Sequence, residues 1–292
     1  MSAKPKMDIL PILALLATAL FWGVLWYPLR WLAEHGLPGL WATGLLFGSA
    51  LILGSPLLWR YRGQVTLRPG LLLGLLLSSG WCNTAFILAI LDGQVVRVML
   101  LFYLSPVWAV LLARFLLGER LPSLALLTLG LAMGGALIIL WQPSLGMPWP
   151  RGHADWLAIS SGLAFAFSNV FIRMGHDLTI ALKTVIAWLG VVLLSGILLL
   201  TGIGGHAEWN LAAAAVAVVL GMVGIVLMSS CLVYGVSRMP VHRSAVILLF
   251  EVIVGAVSAQ WLASEGLGSR EFLGGIFILG AAWLASRQQM EE

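Results

Sequence analysis

The chain has 292 residues, of which 61% are hydrophobic and only 10% charged, with a mean hydropathy of +1.01. A soluble protein keeps about a quarter of its residues charged to cover its surface, so this composition excludes a water-soluble globule and reads as an integral membrane protein. The net charge of +4 does not point to nucleic acid, because Lys and Arg stand singly between apolar runs and form no phosphate-tracking patch.

The first residues carry Lys4 and Lys6 and lead into an apolar run that reaches Leu29. No small-residue cleavage motif follows a short apolar region, which predicts a retained first span rather than a signal peptide. A membrane-crossing helix needs about 20 mostly apolar residues. Apolar runs punctuated by Gly, Pro and charge predict ten, over residues 10–30, 39–59, 70–91, 95–117, 122–141, 155–174, 179–201, 211–235, 242–263 and 270–286. The longest connection, QPSLGMPWPRGHAD, falls at the middle of the chain. Positive residues favour the cytoplasmic side. With the N-terminus inside, only Arg30, Arg97, Arg151 and Arg270 of the 16 Lys and Arg lie outside, so both termini are expected in the cytoplasm. Cys82 and Cys231 both lie in apolar runs and read as small buried hydrophobes.

Sliding the chain by 146 residues, half of 292, sets RVMLLFYLSPVWAVLLARFLLGERL (Arg97 to Leu121) on RSAVILLFEVIVGAVSAQWLASEGL (Arg243 to Leu267). Arg97 meets Arg243, Glu119 meets Glu265, Gly134 meets Gly280, and the preceding AFILAILDGQVV falls on CLVYGVSRMPVH. This predicts two five-span repeats, residues 1–145 and 146–292. Five is odd, so the second repeat enters from the opposite side. The expected fold is therefore all-α, ten transmembrane helices in two inverted-topology five-helix repeats. Such pairs supply inward- and outward-facing states of similar energy and are a transporter signature. A duplication in a static membrane protein is the plainer alternative.

Three stretches resemble the EamA-type exporters of the drug/metabolite transporter superfamily. They are ALFWGVLWYPLR in span one, LSPVWAVLLARFLLGERL closing span four, and GLAMGGALIIL in span five. That family commonly carries a Glu-Pro pair in the middle of spans four and nine and a Glu at the end of each. Here span four keeps the proline in Ser105-Pro106, span nine keeps the acid in Glu251-Val252, and Glu119 and Glu265 match the terminal positions. The resemblance implies a central cavity and export of small metabolites or drugs, often driven by a proton or solute gradient.

Glu251 is the candidate that stands out. A carboxylate at mid-span costs roughly 2.5–3.5 kcal/mol on insertion scales, so it turns toward protein or water rather than lipid. Ser244, Glu251, Gly255 and Ser258 share one helical face of span nine. There Glu251 would pair with a cationic or zwitterionic substrate or carry a coupling proton; a protonated acid bonded to a neighbouring helix is the packing alternative. Asn83, Asn169, Tyr103, Ser105 and Tyr234 are the further intramembrane polar groups, with Ser230 on the face of Tyr234 and with Ser79 and Phe86 on that of Asn83. Trp22 and Trp26 stack on one face of span one, and Trp22 is the tryptophan assigned to the cavity. Trp31, Trp41, Trp59, Trp141, Trp156, Trp209 and Trp261 read as interface anchors. Arginine opposes the dipole of a helix start, so Arg97 and Arg243 need another partner. Snorkelling to the interface is the simpler reading, anion attraction at a cavity mouth the alternative. Arg114, Glu119 and Arg120 are expected to form a cytoplasmic gate cluster, with Glu265 and Arg270 its external equivalent. The glycines of GLAMGG and of Gly274, Gly275 and Gly280 read as close-packing sites.

No Walker motif, HExxH or GxSxG occurs, TGIGGH is a turn, and His35, His153, His176, His206 and His242 fall in loops or at span edges. No catalytic residue, metal site or cofactor is therefore expected. A channel would need a ring of charge or carbonyls. The expected function is a secondary transporter working by alternating access on a small metabolite, amino acid or drug in a bacterial inner membrane. Spans one, three, four, six, eight and nine would surround the site, with five and ten packed behind. A flippase for lipids or lipid carriers shares this architecture and is the alternative.

Overall fold

The structure, a computed structural model, describes residues 9–93, 95–119, 122–141, 149–263 and 269–287. The helices that matter for the site are α1 (Leu10–Glu34), α2 (Gly39–Arg60), α3 (Pro69–Asp92), α4 (95–117), α5 (Ser123–Leu140), α6 (His153–Met174), α7 (Ile180–Leu200), α8 (Leu211–Arg238), α9 (241–263) and α10 (Ser269–Arg287). Among the described residues the first nine are long and apolar enough to cross a membrane; α10 holds a shorter apolar stretch, Phe272–Leu284. Backbone groups in lipid must be satisfied within their own segment, which leaves helices as the form these apolar runs take. Large apolar side chains cover the outside, among them Ile52, Phe115, Leu200, Leu211 and Val223, as a lipid-facing surface requires.

Helix neighbours obey a two-fold exchange. α3 packs on α6 as α8 packs on α1, and α4 packs on α6 as α9 packs on α1. α2 lies on α7, and α5 lies on α10. Swapping each helix for the one five places along leaves this set unchanged. Ten helices in two repeats of odd number place the second repeat upside down, which is the fold expected from the chain. The α5–α10 pair closes through Gly135 and Gly274: a Cβ on Gly135 would lie 2.6 Å from the Gly274 carbonyl, and one on Gly274 2.5 Å from that of Gly135. The aligned Gly134 and Gly280 have no atom within 4 Å of a Cβ, so of the expected packing glycines the contact falls on the neighbouring face.

The sequence presents spans four and nine as single apolar runs, yet both are interrupted. α4 is helical over Val95–Phe102 and again over Ser105–Leu112, followed by a wide π turn at Ala113–Leu117. α9 is helical over Val241–Leu248 and over Phe250–Ala263. At the first break Leu104 N–H reaches Leu101 O at 3.3 Å, and at the second Leu249 N–H reaches Val246 O at 3.2 Å, so both breaks tighten to three-residue turns. The 146-residue shift maps Tyr103 onto Leu249, so the breaks occupy equivalent places in the two repeats.

Candidate functional site

The two breaks meet. Tyr103, at the end of the first half of α4, lies beside Glu251, in the first turn of the second half of α9, close enough for the phenol and the carboxylate to interact. Tyr103 is buried in a cluster with Val246, Leu249 and Val252 of α9 and Ala132 and Ala136 of α5, while Glu251 stays half-buried. A buried phenol seeks an acceptor and a mid-membrane carboxylate a donor, so the two groups are chemically matched. Discontinuous helices at mid-membrane leave backbone groups available around a site, the arrangement found where transporters bind their cargo.

Each break is touched by a glycine from an equivalent helix. On α1, a Cβ at Gly23 would lie 2.7 Å from Val254 Cβ and 2.9 Å from the Glu251 carbonyl oxygen. On α6, a Cβ at Gly162 would lie 2.6 Å from the Phe102 carbonyl oxygen. Only glycine lets these helices come so close. The α1–α9 crossing is then pinned by Ser258, whose hydroxyl donates to Gly23 O at 3.0 Å and accepts from Trp26 Nε1 at 2.9 Å. On the other side Phe102 meets Phe86 of α3 at 4.9 Å and Phe165 of α6 at 5.8 Å between ring centroids. A cavity of about 100 Å³ borders Tyr103, lined by Leu100, Leu101 and Leu104 with Met133, Ala136, Leu137 and Leu140 of α5.

The remaining candidates are placed as follows. Ser105 is buried at the start of the second half of α4. Trp22 lies edge-on to Phe21 at 5.8 Å and packs with the cluster joining α1, α2 and α7. Asn83 Nδ2 donates to Ser79 O within α3 at 3.0 Å, and the Ser79 and Ser168 hydroxyls join α3 to α6 at 2.5 Å. Asn169 is only 2% exposed and its Oδ1 lacks a hydrogen-bond partner, as does Trp108 Nε1 on the adjoining α4. A buried polar atom without a partner calls for an explanation. Tyr234 lies under the Arg238 guanidinium at 5.1 Å, and the Ser244 hydroxyl bonds back to Val241 O at 3.0 Å. Arg243 is buried in the first turn of α9.

The charges at the helix ends form two clusters on opposite faces. Arg97 does not snorkel: it is 8% exposed, and its Nε donates to both Asp155 oxygens at 2.9 and 3.0 Å while Nη2 reaches Trp149 O. Asp155 also accepts Arg151 N–H at 2.8 Å and sits in the first turn of α6, where the helix dipole favours an acid. On the other face Glu119 accepts Val241 N–H at 3.1 Å at the start of α9, with Arg173 Nε at 3.7 Å and His242 Nδ1 at 3.8 Å. The partners of Glu119 are thus Arg173 and His242, while Arg114 is exposed and makes no ion pair with it. Arg120 and Glu265 lie outside the described residues, and Arg270 donates to Trp141 O at 3.1 Å. Sequence reading gave no site role to Asp155, Arg173, His242, Gly23 and Gly162. Of these only Asp155 carried a visible signal, an acid at the start of a span, four residues after the predicted outer Arg151.

An inverted pair of five-helix bundles with broken helices meeting at a polar joint defines a membrane transporter. The EamA-like transporter family model matches residues 9–141 and 153–287, and the chain belongs to that family of the drug/metabolite transporter superfamily. It is similar to a protein of Escherichia coli K12 described as a probable amino-acid metabolite efflux pump, 24% identical over 286 residues that cover 94% of this chain and 93% of that one. An uncharacterized transporter of Pseudomonas aeruginosa is 29% identical over 148 residues, 49% of this chain and 46% of the relative. A solved crystal structure superposes with a TM-score of 0.76 at 19% identity, covering 96% of this chain and 98% of that one, and so shares the fold.

Proposed function

We propose that this protein is a secondary exporter that moves a small metabolite, an amino acid or amine-bearing drug among them, by alternating access around the Tyr103–Glu251 joint. The meeting of the two broken helices, with Tyr103 packed against Leu249 and Val252 beside Glu251, carries this reading. It puts one acid at the place where the repeats meet, and a substrate ammonium or a proton arriving at Glu251 competes with the Tyr103 hydroxyl and so acts on both breaks at once. Asn169 Oδ1 and Trp108 Nε1, buried without partners on α6 and α4, are the acceptor and donor that a bound solute would satisfy. The similarity to an efflux pump described for amino-acid metabolites supports a zwitterionic or cationic cargo and outward transport.

In this reading the repeats divide near residue 145. The face that carries Glu119 and Arg173 is cytoplasmic together with both termini, and the membrane is a bacterial inner membrane. The face that carries Arg97 and Asp155 is external. Purified protein in proteoliposomes, offered labelled amino acids and cationic drugs with and without a pH gradient, tests the proposal. Counterflow of a solute that empty liposomes do not show supports it. Absence of flux for every amine-bearing solute, or equal flux for anions lacking an amine, would defeat it.

A further inference from the structure

Lys183 is the most deeply buried cation among the described residues, at 1% exposure, and nothing above assigns it a task. It lies in the first turn of α7, where both the membrane and the positive end of the helix dipole disfavour an ammonium. Its hydrogen-bond acceptors are neutral: Ile172 O at 2.9 Å and Ser237 Oγ at 2.7 Å. The Ile172 carbonyl belongs to the last turn of α6, where carbonyls lack helical partners and a cation is welcome. Arg173, one residue on, donates to the carbonyl of the same Ser237 at 2.8 Å. Ser237, in the last turn of α8, is therefore clasped twice, its hydroxyl by α7 and its carbonyl by α6.

The same Arg173 faces Glu119 at 3.7 Å, and Glu119 holds Val241 N–H at the start of α9. A chain of contacts thus runs from α7 through the ends of α8, α6 and α4 to α9, all on one face. We infer that Lys183 is a positioning residue for transport: by fixing the ends of α6 and α8 it aims Arg173 at Glu119, and this latch keeps the Glu119 face closed. The inference rests on the alternating-access reading above. Opening toward this face parts Glu119 from Arg173 and frees the α9 start. Lys183, bonded only to neutral groups, stays with α6 and α8 through the cycle.

A cysteine reporter at Gly255 tests this, since a Cβ there meets nothing nearer than Gly23 O at 3.8 Å and lies on the Glu251 face. With Cys82 and Cys231 replaced by serine, a membrane-impermeant maleimide is applied to right-side-out and inside-out vesicles. Glu119→Gln and Lys183→Gln are expected to raise the labelling rate from the Glu119 face by about tenfold, within the usual range of conformational coupling, and to lower it from the other face. Lys183→Arg is expected to restore the original ratio. Labelling unchanged by both variants, or raised equally from both faces as mere loosening would do, overturns the latch. A reporter that never labels from either face in any variant overturns the alternating-access reading and the latch with it.

Discussion

Replacing Gly23 by alanine puts a methyl group 2.7 Å from Val254 Cβ, 2.8 Å from its Cγ1 and 2.9 Å from the Glu251 carbonyl oxygen. Carbon atoms in good contact lie about 3.5–4.0 Å apart, so something must move. Neither neighbour is a flexible tip: one is the root of a β-branched side chain and the other is backbone. Overpacking of this kind costs about 1–3 kcal/mol, and stiff neighbours put this site near the top of that range. Alanine returns about 1 kcal/mol through helix propensity, which leaves a net loss of about 2 kcal/mol. Because the strain falls on the residue that bears the acid, flux should drop with stability. Unfolding in mixed micelles titrated with sodium dodecyl sulfate, followed by circular dichroism, reads the first effect. Gly134→Ala is the control, with no atom within 4 Å of its Cβ, and should be neutral or stabilising by up to about 1 kcal/mol. If Gly23→Ala unfolds at or above the wild-type midpoint, α1 does not press on α9 in the way described.

Tyr103→Phe removes the hydroxyl beside Glu251 and little volume, so folded yield should hold while flux per folded protein falls several-fold; yield and counterflow read together check this. Asp155→Ala strands the buried Arg97, and breaking a buried pair costs roughly 3–5 kcal/mol, so the folded fraction after detergent extraction should collapse. Arg68→Ala breaks a 3.0 Å pair with Asp177 whose side chains are 42% and 35% exposed. Exposed pairs contribute about 0–1 kcal/mol, and the unfolding midpoint should barely shift.

Much of the fold was legible because a bilayer admits few solutions. Runs near 20 apolar residues become helices, and the match of Arg97 to Arg243 and of Glu119 to Glu265 exposed the repeat. The helix breaks were not legible. No glycine or proline stands at Leu249, and Pro106 sits after the first break, in the first turn of the next segment, where proline is at home. The breaks lie where α1 and α6 come close through Gly23 and Gly162, which is tertiary information. The glycine stripe was legible as packing, and Gly135 and Gly274 make the contact, but which of its glycines would make it was not. GLAMGG offers two adjacent faces, one residue turns a helix by about 100°, and the choice of Gly135 over Gly134 belongs to the α10 partner.

Of the site, Glu251 announced itself as the charge that an apolar span cannot ignore. Its partner Tyr103 stood among the candidates with nothing in the chain to pair them, because they are 148 residues apart. Arg97 was read as a snorkelling side chain because its acid lies in another repeat, 58 residues on. Glu119 was grouped with the nearby Arg114 although Arg173 and His242 reach it from α6 and α9. In each case chain proximity stood in for spatial proximity, and the helix ends brought distant residues together instead.

The most direct test of the central claim is counterflow by Glu251→Gln beside wild type in proteoliposomes, normalised to folded protein. Glutamine keeps the size and a polar group beside Tyr103 but can neither bind an ammonium as an ion pair nor carry a proton. The Tyr103–Glu251 joint as transport site predicts normal folded yield with flux lost or its pH dependence abolished. Undiminished flux with unchanged pH dependence would mean that Glu251 only holds two helices together.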